Sequence, residues 1–156
     1  MACPLVKVSK KGKLYTRPQV IEAKIDEAMR QDWNRLAARL KLTDRRSADF
    51  LPSECLVHLI RQALRRDDER LATILMSTLL RRAQAALNYI LQSDYVHNAK
   101  AVHADVLSAL QEMFVLDGTP EHEDELDYFE CKFVHALRTL SYNIHSAEKN
   151  ALKRLR

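Results

Sequence analysis

The chain has 156 residues, 47% of them hydrophobic and 29% charged, with a formal net charge of +4; this balance fits a globular protein and excludes a disordered one. Two glycines and four prolines are too few for strands joined by tight turns, and they point to long helices. Cys3, Cys55 and Cys131 are far apart and odd in number, and no stretch approaches the ~18 apolar residues of a membrane span, so a reducing, cytoplasmic setting without membrane contact is the expectation.

Residues 1–18 read as an irregular basic arm, with Lys7, Lys10, Lys11, Lys13 and Arg17 and no acid. Such an arm either follows a polyanion or is a solvated terminus. Residues 19–156 read as a single helical domain. The first predicted helix runs from about Gln19 to Leu40, where Ile21, Ile25, Ala28, Trp33, Leu36 and Leu40 keep a helical rhythm. "KLTDRRSADFLPS" is a linker, and Pro52 and Ser53 open a second helix with Leu56, Leu59, Ile60 and Ala63 on its apolar side. "RRDDER" interrupts it, and Asp67 to Glu69 suit the N-terminus of a third helix carrying Leu71, Leu75, Leu79 and Ala83.

"QSDYVHN" reads as a loop, with Asn98 a cap for a fourth helix that holds Val102, Val106, Leu110 and Phe114. The acidic "DGTPEHEDELD" reads as a solvated linker; it lacks the spaced ligands and central glycine of a calcium loop. A fifth helix is predicted from about Glu123 to Glu148. The expected fold class is all-α, a bundle of about five helices preceded by the basic arm.

Enzyme signatures are absent from the sequence. There is no phosphate-cradling glycine loop, no nucleophile turn and no zinc-protease helix, so neither catalysis nor a cofactor is expected. One metal pattern stands against this. Cys55 with His58, and Cys131 with His135, could each share a helix face and together supply four zinc ligands, although such pairs also arise by coincidence on long helices.

The fifth predicted helix carries the fullest pattern. Phe129, Phe133, Leu137, Leu140 and Ile144 form an apolar stripe at about 100° per residue. Tyr128, Cys131, His135, Arg138, Tyr142 and His145 lie within about 50° of the opposite pole. Aromatic rings with cations are what a single-strand-binding surface needs; the same residues could equally pack against a neighbouring helix.

"DVLSALQEMF" from Asp105 and "FECKFVHALRTLSYNIHSAEK" from Phe129 together resemble region 2 of bacterial RNA polymerase sigma factors, over residues 75–149 or so. "LRTLSYNI" is similar to that family's "ARNLAIDL". Lys132 stands where the family often has tryptophan, and Ser146 and Ala147 replace a basic pair. Either Asp105 or the Gln111–Glu112 pair can be aligned with the family's first helix, and both registers keep an apolar face. No counterpart of the family's C-terminal helix-turn-helix is found in the 156 residues.

The resemblance implies a sigma-like helical fold that contacts RNA polymerase, promoter DNA or both. By transfer, Asp105, Gln111 and Glu112 would face the polymerase, while Lys132, His135, Arg138 and Tyr142, with His145 beyond them, would face a melted strand. The alternative expectation is a protein-binding helical module or homodimer with no nucleic-acid or enzymatic activity.

Overall fold

A computed structural model of the chain describes residues 2–91 and 99–155. The predicted loop 92–98, with the expected Asn98 cap, lies outside them. Among the described residues the fold is all-α, with seven helices rather than about five: α1 (Gln19–Met29), α2 (Trp33–Leu40), α3 (Ser53–Arg65), α4 (Glu69–Ile90), α5 (Ala99–Leu116), α6 (Asp127–Cys131) and α7 (Phe133–Arg154). No described helix is long and apolar enough to cross a membrane.

The two extra helices arise because two predicted helices are each broken. The first breaks at residues 30–32, where Asp32 leaves the helical region and its carboxylate accepts a 2.9 Å bond from the Arg35 N–H. A side-chain cap of this kind competes with continuation of the helix, and here it starts α2. The second break is at Lys132, whose extended backbone (φ −147°, ψ 84°) separates α6 from α7. In one unbroken helix, Asp127 and Cys131 would share a face with Arg138 and Tyr142. The break lets α6 bury Asp127, Glu130 and Cys131 while α7 buries Phe133, Ala136, Leu137 and Ser141.

Helix α3 is the hub. It packs on α1, α4 and α6, and eight of its 13 residues are buried. Cys55, Leu56, Val57, Ile60 and Ala63 are fully enclosed, as the apolar side requires, but His58 and Arg61 are buried too. A tight turn then reverses the chain into α4: Asp67 takes a left-handed conformation (φ 56°), and Asp68 caps α4 by accepting from the Leu71 N–H. Helix α7 lies across α4 and α5, with Phe133 and Leu137 in the common core.

The N-terminal arm is not a frayed tail. It folds back on itself through a turn at Gly12 (φ 81°) and a bridge between Val8 and Leu14. Ala2 and Leu5 are buried, and the Ala2 N–H donates to Asp26 at 2.8 Å.

Candidate functional site

The structure places the residues predicted from the sequence as follows. Lys132 is exposed at the break before α7, His135, Arg138 and Tyr142 are exposed along α7, and His145 is half-buried. Cys131 leaves that row and is buried; Tyr128 turns inward to pack on Tyr15, with ring centroids 5.3 Å apart. Asp105, Gln111 and Glu112 are exposed on α5, which packs against α7. The nearby Asp105 carboxyl raises the Glu148 carboxyl of α7 above its ordinary value.

The four cysteine and histidine side chains of the zinc pattern do not converge. Cys55 is enclosed, His58 is bonded to Glu130, and His135 faces solvent. Among the described residues no group of three or more His, Cys, Asp or Glu side chains is arranged to hold a metal ion.

Two other features stand out. The first is a buried ionic cluster that draws on the arm, α3 and the acidic segment. Arg61 donates from Nε and Nη2 to both oxygens of Asp117 at 2.9 and 3.0 Å. Its Nη1 serves Asp127 at 2.9 Å and also Glu130, and Nη2 reaches the Glu123 carbonyl at 3.4 Å. All five guanidinium donors are thereby used. Glu130 accepts in addition from Arg17 Nε at 2.9 Å and from His58 Nδ1 at 2.7 Å, which puts the imidazole proton on Nδ1.

Asp127 uses its second oxygen to accept from the N–H groups of Val6 and Lys7 at 2.7 and 2.9 Å, so the cluster also anchors the arm. Burial works against the Arg61 charge, but Asp117, Glu130 and Asp127 outweigh it and raise its pKa. Burial likewise opposes ionisation of Glu130, yet the hydrogen bond from His58 and the charges of Arg61 and Arg17 hold its carboxyl below the ordinary range. The cluster is enclosed and satisfied, apart from His58 Nε2, which has no partner among the described residues. Its geometry is that of an internal clamp.

The second feature is a groove of about 740 Å³. Its floor is one face of α4, where Ile74, Thr78, Arg81 and Ala85 recur at helical spacing. One wall is the end of α2 and the connection to α3, with Leu40, Leu42 and Phe50; the other is the start of α7, with Phe133 and Val134. Among the described residues Lys41, Arg45, Arg81 and Arg82 bring four cations to this apolar concavity, against the single carboxylate of Glu54.

None of the four cations has a carboxylate within salt-bridge distance among the described residues. Arg82 lies 4.4 Å over the Phe50 ring and donates to the Leu51 carbonyl. Burial, and then the neighbouring charges of Arg45 and Arg81, push its pKa below the ordinary value.

No family model, curated protein or solved structure matches this chain.

Geometry therefore carries the functional reading. A concave apolar surface rimmed by unneutralised cations can take up an anionic partner, because binding supplies countercharge and buries exposed apolar area together. Reading the sequence missed this groove. Its cations come from separate stretches, Lys41 and Arg45 at the end of α2 and in the linker after it and Arg81–Arg82 on α4, and each alone resembles ordinary solvated charge.

Proposed function

We propose that this chain is a non-catalytic helical interaction module that binds a protein partner in the groove between α2, α4 and α7. One observation carries the reading: four cations without carboxylate partners among the described residues surround an apolar concavity in a protein that neutralises its buried cations Arg17 and Arg61 thoroughly elsewhere. Site-specific photo-crosslinking in the native host tests it. A photoreactive residue replacing Ala85, which is exposed on the groove floor, should yield nuclease-resistant polypeptide adducts. Those adducts should disappear when Arg45 and Arg81 are both changed to glutamate. Adducts that persist in the charge-reversed protein would count against the groove.

A second reading follows the sigma region 2 resemblance and is favoured by a separate observation. Lys132 at the start of α7 and His135, Arg138 and Tyr142 along it are all presented to solvent, and Tyr142 is 50% exposed. On this reading α7 meets a single strand of promoter DNA and the exposed Asp105, Gln111 and Glu112 meet RNA polymerase. Tyr142→Ala should then weaken single-strand affinity by about 1–3 kcal/mol, the worth of one stacked base. Nuclease-sensitive adducts from a crosslinker at Arg138, with none at Ala85, would favour this reading over the groove.

A further inference from the structure

Resting on the groove reading, we infer that the occupant is an acidic amphipathic helix of about three turns, whose apolar side chains enter between Leu40, Ile74 and Val134 and whose carboxylates meet Arg45, Arg81 and Arg82.

Length is the first argument. From Ile74 to Ala85 the floor of the groove runs about 16 Å along α4, at 1.5 Å per residue. The face repeats at i, i+4, i+7 and i+11, the ridge-and-groove surface onto which a second helix packs. Charge is the second. Four cations against one carboxylate call for an anionic partner, and guanidinium groups hold carboxylates through paired, planar hydrogen bonds.

The groove walls distinguish a peptide from a nucleic acid. A single strand binds through bases stacked on aromatic faces. Among the described residues no tyrosine or tryptophan lines this groove, and the Phe50 ring is already covered by Arg82 at 4.4 Å. Aliphatic and small side chains make up most of the remaining wall, and they suit leucine or phenylalanine anchors better than bases. Like-charge crowding at Arg82 acts in the same direction, since a carboxylate seated between Arg45 and Arg81 relieves it.

Fluorescence anisotropy on the 156-residue chain tests the inference. The probe is a labelled helical peptide of about 15 residues with leucines at i, i+4 and i+7 and glutamates between them. Its companions are a scrambled peptide of the same composition, a peptide with glutamine for glutamate, and an oligothymidylate single strand. The acidic amphipathic peptide should bind, and the scrambled and glutamine peptides should bind at least about tenfold more weakly.

Arg45→Glu with Arg81→Glu should cost a similar factor, as should Val134→Asp at a residue 44% exposed on the groove edge. Arg138→Glu on the outer face of α7 should leave binding unchanged. Both groove variants alter exposed side chains and should retain the wild-type circular dichroism.

Equal binding of the scrambled peptide, absence of peptide binding, or displacement of the peptide by the oligothymidylate would each overturn the inference. The crosslinking result separates this failure from failure of the interaction module itself. Groove-dependent adducts at Ala85 without binding of the acidic helix leave a protein-binding module whose partner has different chemistry; no adducts at Ala85 remove both.

Discussion

Glu130→Gln is the sharpest perturbation of the internal clamp, because it removes one charge while keeping shape and volume. In the wild type, Glu130 accepts from His58 Nδ1 at 2.7 Å, from Arg17 Nε at 2.9 Å and from Arg61 Nη1, with its side chain 1% exposed. Three charge-assisted bonds at about 1.5–3 kcal/mol each would set an upper figure. The variant also escapes the desolvation cost of a buried carboxylate, which brings the expected loss to about 3–5 kcal/mol, the usual cost of orphaning a buried charge.

Urea unfolding followed by far-ultraviolet circular dichroism measures this difference, and its pH dependence supplies a second check. The Glu130 carboxyl is held below its ordinary pKa in the fold. Its contribution is therefore fully present above the unfolded-state value and is lost as pH falls through the lower folded-state value. Wild type and variant should differ fully at neutral pH and converge in acid. A difference below about 1 kcal/mol at neutral pH, or one that does not shrink on acidification, would refute the argument that ionised Glu130 holds the cluster together.

Three further outcomes are expected. Asp127→Asn weakens the acceptor of the Val6 and Lys7 N–H groups, so amide exchange at those two positions should accelerate more than in α3 or α4; uniform protection would show that the arm is held by its apolar contacts alone. Burial pushes the Cys55 thiol up to about 12 and the Cys131 thiol up to about 11, so both should resist a thiol-specific disulfide reagent at neutral pH until the protein unfolds; rapid labelling of either in the native state would contradict their burial. Asp32→Ala removes the α2 cap and should cost about 1 kcal/mol in urea unfolding; no change would mean that packing alone starts α2.

The sequence by itself determined the helical class and most helix limits. Gln19, Ser53, Glu69 and Leu40 fall where turn residues, caps and apolar periodicity placed them, because these are local effects of backbone and side chain. The stripe of Phe133 and Leu137 was legible for the same reason, as was the solvent-facing row through His135, Arg138 and Tyr142.

What tertiary structure decided was the fate of charge. Asp117 and Asp127 belong to a run that reads as a solvated acidic linker and Glu130 to the start of the predicted fifth helix, yet Arg61 draws all three inside from 56, 66 and 69 residues away. Arg17, read with the basic arm either as a cation for a polyanion or as solvated terminal charge, is consumed by Glu130. The break at Lys132 follows from that burial, since one continuous helix could not turn Asp127 inward and Tyr142 outward on the same face. The groove is the converse case. Arg45 and Arg81 are ordinary surface cations until the fold brings α2, α4 and α7 together around an apolar hollow. Helical periodicity is written in neighbours three and four residues apart, whereas which charges are neutralised depends on partners that only long-range packing brings together.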